Sequence, residues 1–207
     1  TWIHDAGYTT GFVGKYLIAT PPPIDTYIPP GWDDWQGLVP STVFNYYNYK
    51  FNDNGILLEY GEKPQDYNTD VLAKRAVDFI TESAFKKPFF LVVTPLGPHQ
   101  AAAGDDKEMA DMTFGEKKAT MTEKCPSAIP APRHSGTTKS IPFLPGLKPS
   151  YQEDTSDKAY AIQFMGINVK DRSCHEQWWW SRLDAMRSVD DLIESVVSAL
   201  RDTGTLD

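Results

Sequence analysis

The chain has 207 residues, 41% of them apolar and 23% charged, with 16 Pro and 14 Gly. One loop-rich globular domain fits these numbers; a coiled coil, a collagen or a wholly disordered chain does not. Twenty Lys and Arg against 28 Asp and Glu give a net charge of −8 without a basic cluster. That argues against a nucleic-acid partner, but not against a small anion held in a locally positive pocket.

Trp2, Ile3 and His4 read as the last turn of a helix, followed by Asp5-Ala6-Gly7, with Gly7 suited to the left-handed conformation that follows a helix end. Residues 8–17 read as a strand with a Gly-rich turn at Gly11 and Gly14. Five prolines in residues 20–35 mark an ordered loop. Residues 43–51 and 55–60 flank Asn54-Gly55, a strong hairpin signal between aromatic and β-branched runs.

A helix is expected over residues 69–84, with Asn68 or Thr69 as its cap. Leu72, Ala76, Phe79 and Ile80 form its apolar stripe. Residues 89–93, Phe-Phe-Leu-Val-Val, read as a strand of the kind covered on both faces. This is also the longest apolar run, far short of the ~18 residues of a membrane span. Residues 97–175 are expected to form a loop-rich excursion from the domain. A final helix over residues 180–203 carries Leu183, Met186, Val189, Ile193, Val196, Val197 and Leu200 at helical spacing and stops at Gly204. The chain thus begins inside one helix and ends just past another, as an internal piece of a longer domain would.

The most informative stretch is Gly7-Tyr8-Thr9-Thr10-Gly11-Phe12-Val13-Gly14-Lys15-Tyr16-Leu17. It is not a phosphate-binding P-loop, because Tyr16 stands where Ser or Thr is needed and Pro21, Pro22 and Pro23 forbid the following helix. Taken alone it is equally a strand with a surface lysine. Yet Gly-Tyr-x-Thr-x-x-x-Gly-Lys-Tyr-Leu resembles the second signature of the sulfatase family, in the alkaline-phosphatase-like superfamily. Pro29-Pro30-Gly31-Trp32-Asp33-Asp34-Trp35 resembles a motif of its glucosamine-6-sulfatases, heparan endosulfatases and fungal arylsulfatases. The apolar strand running into Pro98-His99 resembles a third landmark. Pro130-Ala131-Pro132-Arg133-His134, Ser156-Asp157-Lys158 and the final helix follow in the family's order.

The resemblance implies an α/β fold with a mostly parallel sheet flanked by helices on both faces, here incomplete: residues 1–207 would be an internal part of one sulfatase catalytic domain. It implies hydrolysis of a sulfate ester, either an aryl sulfate or a sulfated amino sugar, with no nucleic-acid partner and no membrane span. A secreted or lysosomal or vacuolar location is implied too. Two alternatives stand beside it: a non-catalytic or truncated sulfatase-like piece, and a phosphoesterase of the same superfamily.

The chemistry agrees with the residues. A departing sulfate ester spreads negative charge over oxygens that need cations and donors. Lys15 supplies a point charge at a strand end. His99, just past an apolar strand, falls at the carboxyl edge where α/β folds bind ligands, and can contact sulfate or protonate the leaving oxygen. Lys15 and His99 are therefore the expected catalytic pair, with His134 a substrate contact. The bland readings are a loop histidine closing a strand for His99 and a surface histidine for His134.

In the family the nucleophile is a formylglycine made from Cys in Cys-x-Pro-Ser-Arg, beside Ca²⁺ held by an Asp pair and an Asp-Asn pair. Cys125-Pro126-Ser127-Ala128-Ile129 does not match, so Cys125 reads as a loop cysteine. The nucleophile and the calcium ligands are expected outside this span. The pairs Asp33-Asp34, Asp105-Asp106 and Asp190-Asp191 belong to a loop, a polar stretch and the solvated face of a helix. The four histidines lack the spacing of a zinc site. Cys125 and Cys174 could pair but build no disulfide framework. Ile18 replaces the family's usual Asn. Trp178, Trp179 and Trp180 read as a helix anchor before they read as a sugar platform.

Overall fold

A computed structural model describes residues 2–17, 25–86, 88–101, 127–151, 153–160 and 172–206. Ile18, Cys125 and the Asp105-Asp106 pair lie outside the described residues. After a short helix α1 (Trp2–Asp5), strand β1 (Thr9–Gly14) leads to β2 (Asp34–Leu38). The hairpin β3 (Lys50–Asp53) and β4 (Ile56–Glu59) comes next. Helix α2 (Asn68–Ser83) then runs into β5 (Phe89–Thr94), and helix α3 (Arg172–Asp202) follows late in the chain.

The five strands form one sheet in the order β4-β3-β2-β1-β5. Strands β2, β1 and β5 run parallel, with Gly14 opposite both Gly37 and Thr94. Strands β3 and β4 add antiparallel at one side. The α/β class expected from the sequence is met, with a sheet that is mixed rather than mostly parallel. The hairpin turns on Asn54 and Gly55, both at positive φ (50° and 91°), the backbone of a two-residue turn that matches strand twist.

Side chains alternate across β1. Val13 joins Leu72 of α2 and Leu192 of α3 in the main core. Phe12 faces the other way, stacked on Trp35 at 4.6 Å between ring centroids. Among the described residues both long helices lie on the Val13 face, and aromatic rings, with Trp32 edge-on to Phe12, cover the opposite one.

Several local expectations need correction. β2 was not expected, because Asp-Trp-Gln-Gly-Leu is short and lacks a clean alternation. Of residues 43–51 only the end is strand; Val43, Tyr46 and Tyr49 are instead buried in the approach to it. Helix α2 makes no side-chain cap bond. The Asn68 amide goes to the carbonyl of Asn45 instead. Among the described residues strand β5 is half-buried and last in the sheet order, with Phe90 37% exposed. Helix α3 starts at Arg172, and its inner face is Ala185, Ser188, Val189 and Leu192, whereas Met186 and Ile193 are exposed. The tryptophans pack as anchors: the Trp180 indole N–H donates to the Ile141 carbonyl, and Trp179 meets Phe143 edge-on.

Candidate active site at the carboxyl edge of the sheet

Parallel strands end on the same side, so β1, β2 and β5 deliver their following residues to one edge. β1 ends at Gly14, whose φ is +122° and whose position leaves no room for a side chain: a Cβ there would lie 2.3 Å from the Thr94 carbonyl oxygen. Lys15 follows directly. Its backbone N–H donates to the Thr94 carbonyl at 2.8 Å, and the Thr94 hydroxyl donates to the Lys15 carbonyl at 2.8 Å. Tyr16 then anchors edge-on against Phe12 and Trp35. Lys15 is thus held on both sides by backbone and aromatic contacts that leave its side chain free of them.

The Lys15 ammonium lies 4.1 Å from the ring centroid of Phe44, which reaches the edge from the segment after β2. Among the described residues no carboxylate pairs with it. Partial burial lowers its pKa from the ordinary lysine value, since desolvation penalises the charged form.

His99 arrives five residues after β5. Its backbone N–H donates to the Leu96 carbonyl, and its own carbonyl accepts the Tyr46 hydroxyl at 2.6 Å. Burial pushes the Tyr46 phenol well above its ordinary value, so it remains a donor. The imidazole Nδ1 lies 2.7 Å from the Gln100 carbonyl oxygen. A carbonyl only accepts, so Nδ1 carries the proton of that bond and Nε2 is left for a ligand. The His99 ring sits 4.9 Å from the same Phe44 ring. The structure therefore brings Lys15 and His99 to one aromatic side chain.

His134 is placed differently. It closes a 3₁₀ turn, Pro132–His134, and its Nε2 meets Asp191 of α3 at 2.7 Å. Beside it Arg133 donates two bonds to Asp70 of α2 and two to Asp191. His134 makes no ring contact with Phe44 or His99. Asp191, read as part of a solvated helix face, is one half of this clasp. Partial burial works to raise its carboxyl, but the bonds from His134 and Arg133 outweigh that and hold it below the usual carboxylate range. Two turns earlier on α3, buried Asp184 accepts from the backbone of Gly136 and Thr138 and the hydroxyls of Thr137 and Thr138.

Phe44, Thr94, Tyr46 and Asp184 carried no sequence signal, because their partners at the site lie 29 or more positions away in the chain. Asp33 does no work at this edge. It accepts from the Thr10 backbone and hydroxyl at the amino end of β1 and meets His4 at 3.2 Å. Among the described residues no three His, Cys, Asp or Glu side chains gather to hold a metal ion. The edge offers an ammonium and an imidazole, not carboxylates, and so does not by itself fit calcium.

Comparison with known proteins gives this geometry a family. A family model described as Sulfatase matches residues 1–207. The arylsulfatase of Volvox carteri is 34% identical over 210 residues, which is 100% of this chain and 31% of that protein. The N-acetylglucosamine-6-sulfatase of Homo sapiens is 30% identical over 209 residues, 97% of this chain and 32% of that one. A solved structure of a protein in complex with its substrate, D-glucosamine-2-N,6-O-disulfate, shares the fold with a TM-score of 0.56 at 20% identity, over 99% of this chain and 46% of the other. The chain spans about a third of the length of these curated relatives. With the matched span running from end to end and the cationic edge where an anion would sit, the chain belongs to the sulfatase family.

Proposed function

We propose that this chain is an internal part of a sulfatase catalytic domain, with residues 97–175 as an excursion from it. The whole protein then hydrolyses a sulfate ester, of an aryl sulfate or of a 6-sulfated glucosamine. The family match supports the reaction class; the likeness to an N-acetylglucosamine-6-sulfatase and to a disulfated-glucosamine complex supports the sugar. The single observation that carries the residue assignment is the meeting of Lys15 and His99 on Phe44.

In this reading Lys15 holds the equatorial sulfate oxygens, and among the described residues no carboxylate competes for its charge. His99, in its imidazolium form, would give the Nε2 proton to the leaving oxygen, with the Gln100 carbonyl fixing the ring through Nδ1–H. A formylglycine and a calcium ion, with their residues expected outside this span, would supply the nucleophile and the charge that neutralises the sulfate. His134, with Nε2 on Asp191, has Nδ1 left for substrate. A secreted or lysosomal or vacuolar location belongs to the same reading.

The test is turnover of an aryl sulfate by the full-length protein and its Lys15→Ala variant. Loss of a preorganised cation should lower kcat by about a hundred- to a thousandfold. Stability should change by less than about 1 kcal/mol. Near-parental turnover would remove Lys15 from the site, and faster cleavage of an aryl phosphate than of the sulfate would favour the phosphoesterase alternative.

A further inference from the structure

We propose that Phe44 is a positioning residue of this site, its ring fixing the Lys15 ammonium and the His99 imidazole relative to each other; the proposal rests on the reading of Lys15 and His99 given above. Each of the three parallel strands sends one residue to the edge: Lys15 after β1, Phe44 after β2 and His99 after β5. The Phe44 ring is the one that touches both of the others. The ammonium lies 4.1 Å from its ring centroid and the imidazole centroid 4.9 Å from it, with the two ring planes tilted by 34°.

The ring itself is well held. It packs against both core clusters, the one built on Val13, Leu72 and Leu192 and the one built on Tyr46, Tyr67 and Leu96. The backbone on either side is pinned. The Thr42 hydroxyl accepts the Lys50 N–H at 2.8 Å, the Asn45 N–H reaches the Thr42 carbonyl, and the Asn45 carbonyl accepts the Asn68 amide.

Charge explains why an aromatic ring suits this place. A lysine side chain has four rotatable bonds and must be restrained to meet a reacting group in one geometry. A carboxylate would restrain it, but would cancel the charge that a sulfate needs. An aromatic face attracts the ammonium through its quadrupole and leaves the charge intact. His99 gains in the same way: Nδ1 is tied to Gln100, the ring rests against Phe44, and Nε2 keeps its full capacity. Leucine at position 44 would preserve much of the apolar packing and lose the quadrupole.

The experiment is aryl sulfate kinetics on the full-length protein with Phe44→Leu and Phe44→Tyr, each also combined with Lys15→Ala. Phe44→Tyr keeps the ring and should keep near-parental kcat. Phe44→Leu should lower kcat between about threefold and thirtyfold, with a smaller change in KM and a nearly unchanged thermal midpoint. In the Lys15→Ala background the Phe44→Leu effect should shrink, because the group it positions is gone. If Phe44→Leu does not fold, Phe44→Met replaces it in the same comparison. Parental kcat in Phe44→Leu, with Lys15→Ala inactive, would overturn the proposal while leaving the site intact. So would an equal loss in both backgrounds, which marks a purely structural role. Parental turnover in Lys15→Ala would instead overturn the reading of the site on which the proposal stands.

Discussion

Replacing Gly14 by Ala tests the junction that aims Lys15. The added Cβ would lie 2.3 Å from the Thr94 carbonyl oxygen and 2.9 Å from both its carbonyl carbon and its hydroxyl oxygen. These are largely backbone atoms of the paired strand and cannot swing away. The end of β1 must lift from β5 instead, breaking the two 2.8 Å bonds between Lys15 and Thr94. Each is worth about 1 kcal/mol net. Holding a non-glycine residue at φ +122° costs a further ~1–3 kcal/mol, so the total is about 3–5 kcal/mol. Gly7 is the internal control: its φ is +90°, but no atom lies within 4 Å of an added Cβ. Gly7→Ala should therefore cost only the backbone part, about 1 kcal/mol. Urea midpoints of the full-length protein and both variants give the comparison, with aryl sulfate turnover alongside. Gly14→Ala should lose stability and turnover together, and Gly7→Ala should keep its turnover. Equal midpoint losses would refute the steric argument.

Three other outcomes follow from the same geometry. Arg75 donates to Gln36, Asp53 and Tyr60 and lies over the Phe51 ring; Arg75→Met strands those acceptors and should lower stability by about 2 kcal/mol in denaturant titration, and a neutral result would mean that water replaces the guanidinium. The Asp33 carboxyl is held low first by the Thr10 backbone N–H, and Asp191 by His134 and Arg133 against its partial burial. Both folded pKa values lie below the unfolded one, so their stabilisation is complete above pH ~4 and is lost as pH falls through the lower folded values; Asp33→Asn and Asp191→Asn should each make the acid limb of a thermal midpoint profile shallower, and an unchanged slope counts against it. The isolated 207-residue chain, assayed with an aryl sulfate and Ca²⁺, should show no turnover above its own Lys15→Ala control, and any excess would mean that the nucleophile lies within this span.

What the sequence made legible was local. Asn54-Gly55 announced its hairpin because that pair tolerates two positive φ angles. Helix α2 announced itself through Leu72, Ala76, Phe79 and Ile80, all of which are buried. β2 stayed hidden, since five residues containing a glycine and a buried glutamine have no period to detect. The inner face of α3 was misread for a related reason: Asp184 and Ser188 are polar yet buried, so a search for apolar residues follows the wrong stripe. In the site, the motif carried Lys15 and His99 but not what holds them. Phe44 and Thr94 act through neighbours that only strand register brings close.

Register also separates the two most recognisable motifs. Gly14-Lys15 lies at the carboxyl end of β1, beside Thr94 and the segment leading to His99. Pro29-Pro30-Gly31-Trp32-Asp33 lies at the amino end of the same strand, where Thr10 binds the Gly31 carbonyl and the Asp33 carboxylate. In a parallel sheet these ends differ in kind, because ligands gather where the strands terminate and the opposite rim is free to serve stability alone. One six-residue strand therefore joins a motif that ties down the chain to a motif that presents a cation. The acidic Asp33-Asp34 pair, which by composition could have passed for a metal site, is spent on hydrogen bonds to Thr10, Gln36 and Asn54.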